Sequence, residues 1–320
     1  MKIGIPRALL YYWYGSIWEQ FWHDCGYEVI TSPATNHRIM KTGVESALDE
    51  LCLPMKIFLG HVRILAPDVD WIMIPHLIKV QRDAFICPKF MGLPDIVRHA
   101  LPDLHEKLLT VQVGPRQVDM LASLQRSMRQ TSQPLKMSKN DWRNLKSHYI
   151  NMLNLPSLQI IEACRCQGKN SDFSGLGIGL LGHPYCLYDA CLNLNLLQFL
   201  TDQGAYFLTP EMIPVNFKGV GSAKLSKKLF WTTGEMQFDA LEWMLHSSAS
   251  LCETEIDGFI QIAPFACGPE AIVSDMLERR IKEVKKPYLK IYYEEHSGEA
   301  GVITRLEAFL DLIKYRHIAC

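Results

Sequence analysis

Short apolar runs alternate with stretches of helical period along most of the chain. Lys2–Ile5 reads as a short strand, and Ala8–Cys25 as a helix packed with aromatics (Tyr11, Tyr12, Trp13, Tyr14, Trp18, Phe21, Trp22) that stops at Gly26. Tyr27–Thr31 is expected as a strand, Leu53–Leu65 as a helix and Trp71–Pro75 as a buried strand. Leu93–Ala100 reads as a helix, Leu108–Val113 as a strand ended by Gly114-Pro115, and Asp119–Arg129 as a helix. Gln130–Pro134 is a polar break, followed by a long helical stretch from Lys139 to Cys166 that is interrupted at Pro156. The alternation then resumes. Leu176–Leu181 is a strand, Ala190–Gln203 a helix stopped by Gly204, and Gly234–His246 a helix with Met236, Ala240, Trp243 and Met244 as apolar positions. Asp257–Ala263 is a strand, Gly268–Val284 a helix, Tyr288–Tyr293 a strand, and Val302–Ile318 a helix with Ile303, Leu306, Phe309, Leu310 and Ile313 on one face.

Strands that alternate with helices imply parallel sheets covered by helices. Two such runs predict an N-terminal α/β domain at 1–135 and a C-terminal α/β domain at 169–320, joined by a helical linker at 136–168. In open α/β sheets ligands bind outside the carboxyl ends of the strands, so the cleft between the two domains is the expected site. The length of 320 residues agrees with two domains at roughly 150 residues each.

Charge narrows the classes of partner. With 33 Lys+Arg against 34 Asp+Glu the net charge is −1, which argues against a dedicated nucleic-acid binder and against a polybasic membrane-surface protein. A hydrophobic share of 48% with 21% charged residues is an ordinary globular composition and argues against disorder. No apolar run approaches the ~18–20 residues needed to span a bilayer. Pro6 and Arg7 stand where a signal peptide would have its apolar region, so a cytoplasmic location is expected.

Cysteine changes the picture. Ten are present, at 25, 52, 87, 164, 166, 186, 191, 252, 267 and 320, and in a cytosolic protein disulfides are not expected. Cys25, Cys191, Cys252 and Cys320 sit in or beside apolar helical patterns and read as small buried hydrophobes. Cys52 opens a helix in Cys52-Leu53-Pro54-Met55-Lys56. Cys87, in Ile86-Cys87-Pro88-Lys89, lies between a strand and a helix, as does Cys267 in Pro264-Phe265-Ala266-Cys267-Gly268-Pro269-Glu270. All three are therefore expected near strand carboxyl ends or helix amino ends. A helix amino end carries partial positive charge and free N–H groups, and it favours the thiolate, the form that binds metal. Thiolate-rich sites select zinc or iron–sulfur clusters. Compact structural zinc sites draw ligands in closely spaced pairs, whereas these three thiols are far apart in sequence. Cys186, in Gly182-His183-Pro184-Tyr185-Cys186, is either a fourth ligand or a free thiol in a loop. Cys164-x-Cys166 reads as two linker cysteines, although a second cubane would need such extra thiolates.

At these residues the sequence resembles a known family. Four stretches carry the resemblance: Ile3-Gly4-Ile5-Pro6-Arg7-Ala8-Leu9; Cys52-Leu53-Pro54-Met55-Lys56 with Gly60-His61-Val62; Ala266-Cys267-Gly268-Pro269-Glu270; and Glu295-His296-Ser297-Gly298-Glu299-Ala300-Gly301 running into Thr304-Arg305-Leu306-Glu307-Ala308-Phe309. They are similar to the activase-related branch of the 2-hydroxyacyl-CoA dehydratase superfamily, which includes 2-hydroxyglutaryl-CoA dehydratase, benzoyl-CoA reductase and the double-cubane-cluster proteins. The resemblance implies two Rossmann-like (flavodoxin-like) domains with an oxygen-sensitive iron–sulfur cluster in the cleft, either a 4Fe-4S cluster on three cysteines or a double cubane on more. By position Cys52, Cys87 and Cys267 match the three-cysteine set; relatives often carry another residue where Cys186 stands. The resemblance also implies a partner, an ATP-hydrolysing activator protein with its own iron–sulfur cluster, because this sequence has no Gly-x-x-x-x-Gly-Lys-Ser/Thr loop. Relatives are often homodimers.

Other features of the sequence also have plainer readings. Gly177-Ile178-Gly179-Leu180-Leu181-Gly182 has dinucleotide-loop spacing but lies within a strand, so it reads as close packing. Glu294, Glu295, His296 and Glu299 gather at the end of the last strand. They are either acid–base or ligand-orienting groups beside a cluster, or helix-start chemistry with Ser297 as N-cap and Glu299 in the first turn. His183 and His61 read first as hydrogen-bonded structural residues. Lys218–Lys228 is expected as a flexible basic loop, a solvated surface or a dock for an acidic partner.

The expected function is that of an iron–sulfur protein that carries out low-potential reduction or dehydration of a small-molecule or acyl-CoA substrate, with Glu295, His296 and Glu299 as candidate catalytic residues. The alternatives are a non-catalytic iron–sulfur carrier, electron-transfer or scaffold protein that partners an ATPase, and a zinc-bound or metal-free α/β protein.

Overall fold

The structure is a computed structural model that describes residues 1–79, 84–113, 117–131, 175–246 and 255–319, with a few isolated positions between 140 and 147. It divides into two units, Met1–Leu158 and Gln159–Cys320. The linker expected at 136–168, with Cys164 and Cys166, falls almost wholly outside the described residues, as do Cys252 and Cys320.

The first unit runs β1 (Lys2–Ile5), α1 (Tyr11–Asp24), β2 (Glu28–Thr31), α2 (His37–Ser46), α3 (Leu53–Leu65), β3 (Trp71–Leu77), α4 (Pro88–Met91), α5 (Leu93–Ala100), a 3-10 turn (Pro102–Lys107), β4 (Leu108–Val113) and α6 (Gln117–Met128). Its four strands are all parallel, in the order β2-β1-β3-β4. Both faces of the sheet are covered, so Ile3, Ile5, Ile72, Met73, Ile74, Leu109 and Val111 are fully buried, each such side chain stabilising the fold by about 1.5–3 kcal/mol. The aromatics of α1 pack onto this sheet: Trp22 donates its indole N–H to the Met73 sulfur at 3.4 Å.

Two departures from the sequence pattern have local causes. Helix α1 begins three residues later than its periodicity predicts, because Leu9 sits at φ 55°, a left-handed residue that the first helical turn does not admit. Helix α2 was not expected, since only Ile39 and Gly43 of it are buried. It is started by Asn36, whose side chain accepts the Ile39 N–H at 3.1 Å. Glycines let α2 lie against α3: a Cβ on Gly43 would meet the Lys56 carbonyl oxygen at 2.1 Å, and one on Gly60 the Ile39 carbonyl oxygen at 2.1 Å.

The second unit repeats the plan with β5 (Gly177–Leu181), α7 (Pro184–Tyr188), α8 (Leu196–Asp202), β6 (Tyr206–Leu208), three short 3-10 turns, α9 (Thr232–His246), β7 (Gly258–Pro264), α10 (Gly268–Glu283), β8 (Tyr288–Tyr293) and α11 (Glu299–Ala319). The order β6-β5-β7-β8, all parallel, is the strand order of the first unit over again. Both units are thus Rossmann-like α/β layers. The glycines of β5 serve packing: a Cβ on Gly179 would meet the Phe259 ring at 2.4 Å.

Of the single helix expected over Ala190–Gln203 only α8 is helical, and the residues before it form turns. Leu194 and Asn195 both adopt left-handed backbone (φ 52° and 58°), and the Asp189 carboxylate draws the Cys191 and Leu192 N–H groups (3.0 and 3.3 Å) into a turn. The basic stretch Lys218–Lys228, expected to be flexible, is pinned to α9. Asp239 accepts the N–H groups of Gly219 (2.6 Å) and Ser222 (2.7 Å), and buried Glu242 pairs with Lys224 at 2.7 Å and with Arg280 at 2.5 Å. Among the described residues no helix is long and apolar enough to cross a membrane.

Candidate functional site

In a parallel sheet of order 2-1-3-4 the chain leaves the two central strands in opposite directions, which opens a crevice at their carboxyl ends. The loops after β1 and β3 flank that crevice in the first unit, and those after β5 and β7 in the second. Cys87 follows β3 and Cys267 follows β7, so the two occupy the same slot of the repeated plan.

In the first unit Cys52 and Cys87 are each the residue that caps a helix start, Cys52 for α3 and Cys87 for α4, with a proline in the first turn and no side-chain cap. Their carbonyls open the helices, that of Cys52 accepting from Met55 N at 2.9 Å and that of Cys87 from Phe90 N at 2.9 Å. Burial pushes both thiols above their ordinary value. The Lys89 ammonium opposes this at Cys52, while at Cys87 the Lys89 backbone N–H does so first and its ammonium after it. Negative charge on Cys87 raises the Cys52 thiol further, so the two sulfurs share one local field. Two protonated thiols beside helix amino ends and an ammonium form a pair that a metal would deprotonate on binding.

His61 is not part of that chemistry. It is fully buried, with Nδ1 2.7 Å from Ser32 Oγ and Nε2 3.0 Å from Thr35 Oγ1. Burial, and after it the charge of Arg7, hold it down at a pKa of about 3. It is a neutral, hydrogen-bonded structural residue.

In the second unit Cys267 caps the start of α10 without a side-chain hydrogen bond and is part-exposed. It is delivered by Ala266, a left-handed residue at φ 61°, and followed by Gly268, next to which a Cβ would find nothing within 4 Å. The Cys267 sulfur lies 3.7 Å from His183 Nε2. His183 follows β5 and is buried, its ring stacked on Tyr185 at 5.0 Å and 16°. The same Nε2 is 3.0 Å from Glu270 Oε2, one turn into α10. Gln237 Nε2 donates to Glu270 Oε2 (3.0 Å) and Gln261 Nε2 to Oε1 (2.6 Å), while the Tyr288 hydroxyl donates to Gln261. A polar chain thus runs from the Cys267 sulfur through three buried side chains, His183, Glu270 and Gln261, to Tyr288, with Gln237 a branch on Glu270. Burial lowers the His183 pKa, and the charge of Glu270 opposes that shift.

Sequence reasoning missed Glu270, Gln237 and Gln261. Two signals were present: a glutamine within the apolar run Phe-Ile-Gln-Ile of β7, and a glutamate three residues past a cysteine at a helix start. A polar residue at a core position is the informative observation in such a run.

The other candidates lie elsewhere in the second unit. Cys186 is fully buried in α7 and its sulfur accepts the Tyr293 hydroxyl at 3.0 Å. Glu295 is half-buried in the turn before α11, and His296 and Glu299 are exposed. Glu299 is in the first turn of α11, as expected, and accepts from Asn195 Nδ2 at 3.0 Å. Ser297 does not cap α11, which begins two residues on; its hydroxyl accepts the Glu294 N–H at 2.8 Å and closes the preceding turn. Among the described residues no group of three or more His, Cys, Asp and Glu side chains is gathered closely enough to hold a metal ion.

A model of the CoA enzyme activase uncharacterised domain matches residues 2–213, two-thirds of the chain. The match takes in Cys52, Cys87, His183 and Cys186 and ends before Cys267. No curated protein matches the chain.

Proposed function

The chain belongs to the CoA enzyme activase uncharacterised domain family, and from that premise we propose that it is an iron–sulfur protein of the 2-hydroxyacyl-CoA dehydratase type. The observation that carries the reading is the pair Cys52 and Cys87, two thiols in one local field, each at a helix amino end and offset by Lys89. The donor set suits a thiolate-bound cluster: it is sulfur-only, and each thiol stands at a helix amino end, whose partial positive charge offsets the cluster's negative charge. Cys52, Cys87 and Cys267 are the proposed ligands. Cys186 is left out of the set, because its sulfur is enclosed and already hydrogen-bonded. Three cysteines on a 4Fe-4S cluster leave one iron open, and such a cluster supplies single electrons at low potential to a small or acyl-CoA substrate. With no phosphate-binding loop of its own, the chain would draw those electrons from a separate ATP-hydrolysing activator. Glu295, His296 and Glu299 remain the proposed acid–base group.

Anaerobic purification with iron and acid-labile sulfide analysis, together with electron paramagnetic resonance of the reduced protein, tests the reading. The expected result is a cluster signal that is lost or altered in Cys52→Ser, Cys87→Ser and Cys267→Ser and kept in Cys186→Ser. A protein that is isolated without iron and resists reconstitution overturns it.

A further inference from the structure

We infer that Arg7 anchors a binding site for the carboxylate group of a small-molecule ligand, at the carboxyl end of β1. The inference does not rest on the cluster reading above, because it needs only the first sheet and one guanidinium.

Arg7 stands two residues past β1, a central strand of the order β2-β1-β3-β4, where open α/β sheets bind their ligands. Its backbone is fixed. The Arg7 N–H donates to Ser32 Oγ at 2.8 Å, and that oxygen lies 2.7 Å from Nδ1 of the buried His61 ring. The side chain is part-buried and its charge is unbalanced. Arg63, Arg98 and Arg280, the other part-buried arginines among the described residues, each hold a carboxylate, that of Asp103, Asp95 and Glu242 respectively. Arg7 has none among the described residues, and its Nε is enclosed without a hydrogen-bond partner.

The groups around it do not fill that role. Glu19 of α1 is engaged elsewhere, its Oε1 accepting the Tyr11 hydroxyl at 2.8 Å and Thr31 Oγ1 at 2.6 Å. His61, which burial and then the Arg7 charge keep neutral, brings no negative charge. A charge drawn part-way out of water is unfavourable until it is paired, so the missing partner is an anion from outside. With Nε closed off, the fork that remains is the pair of Nη groups at the outer end of the side chain. Two N–H groups in one plane match the two oxygens of a carboxylate.

The adjoining turn decides for a carboxylate over a phosphate. A phosphate cradle brings its ligand against the backbone N–H groups of a glycine-rich turn at a helix start. The turn from β1 to α1 is Pro6-Arg7-Ala8-Leu9-Leu10, without glycine, and Ala8, Leu9 and Leu10 are 4%, 1% and 0% exposed. The guanidinium is left to take the anion alone, and one unbalanced positive charge suits a singly charged group. The start of α1 adds partial positive charge, since it has no side-chain cap and no acidic residue in its first turn.

Anion titrations of the whole chain at constant ionic strength test this, read by nitrogen-15 spectra of the arginine side chains and by thermal shift. Acetate and succinate are the probes, with chloride, dimethyl phosphate and inorganic phosphate for comparison. The expected result is a saturable response of the Arg7 guanidinium to both carboxylates, with a rise in melting temperature that chloride does not give. Binding should weaken by about ten- to hundredfold in Arg7→Met, the loss of one charged hydrogen-bonding group, and by less in Arg7→Lys, which keeps the charge without the planar fork. Carboxylate binding unchanged in Arg7→Met overturns the inference. Where Arg7→Met fails to fold, the unaltered protein decides: a guanidinium that answers the carboxylates no better than chloride, or answers the phosphates more strongly, overturns it as well. A protein that takes up no iron and still binds acetate through Arg7 keeps this inference while the cluster reading falls.

Discussion

Replacing Glu270 by glutamine should loosen the second unit more than an ordinary core substitution of equal size. The buried carboxylate receives three N–H donors, two on Oε2 (Gln237 and His183, 3.0 Å each) and one on Oε1 (Gln261, 2.6 Å). Glutamine keeps the shape but turns one of the two oxygens into a donor. In the milder arrangement the new amide nitrogen faces Gln261, which rotates so that its Oε1 accepts and its Nε2 donates to the Tyr288 hydroxyl, which serves as acceptor. The three hydrogen bonds to the former carboxylate, about 1.5–3 kcal/mol each while the acceptor is charged, then become neutral and weaken by about half. The sum is a loss of about 2–4 kcal/mol, a large share of the roughly 5–15 kcal/mol that holds a domain folded. Urea titration read by hydrogen exchange in peptides from 258–264 and 268–283 follows this unit apart from the first. A loss under about 0.5 kcal/mol would refute the donor count around Glu270.

Two further outcomes concern the first unit. His61, held at a pKa of about 3 when folded against 6.5 ordinarily, takes up protons more readily in the unfolded chain. Its contribution is complete above pH 6.5 and is lost as the pH falls toward about 3, at a slope of up to ~1.4 kcal/mol per pH unit and on the order of 5 kcal/mol in all. Urea midpoints at pH 7 and pH 5 should differ in that sense, with a flatter dependence in His61→Gln; equal slopes would remove the buried neutral imidazole as the cause. Gly60→Ala drives a Cβ to 2.1 Å from the Ile39 carbonyl oxygen and should cost about 1–3 kcal/mol by forcing α2 and α3 apart. Gly298→Ala, with open space around it, should stay within about 0.5 kcal/mol, and equal thermal shifts for the two would contradict the close approach of the helices.

Much of the fold was readable where apolar pattern and punctuation agreed. Helices α3 and α5 and strands β1, β4 and β8 fall on their expected residues, because each is an apolar run bounded by Pro, Gly or a charged turn. The failures share a cause. Helix α2 buries too little to leave a periodic trace, β6 is only three residues long, and the break before α8 is made by Leu194 and Asn195, whose left-handed backbone nothing in their order announces. At the site, single residues were legible and their neighbours were not. The cysteines stood out by loop context, whereas the setting of Cys267 comes from β5, α9, β7, α10 and β8, elements whose juxtaposition only the folded sheet supplies.

The repeated strand order has an architectural corollary. A scaffold present twice in one polypeptide relieves each copy of carrying every specialised group, so the copies are free to diverge around a shared address. That divergence is visible in the company the equivalent sulfurs keep: an ammonium and a second thiol next to residue 87, an imidazole backed by a carboxylate next to residue 267.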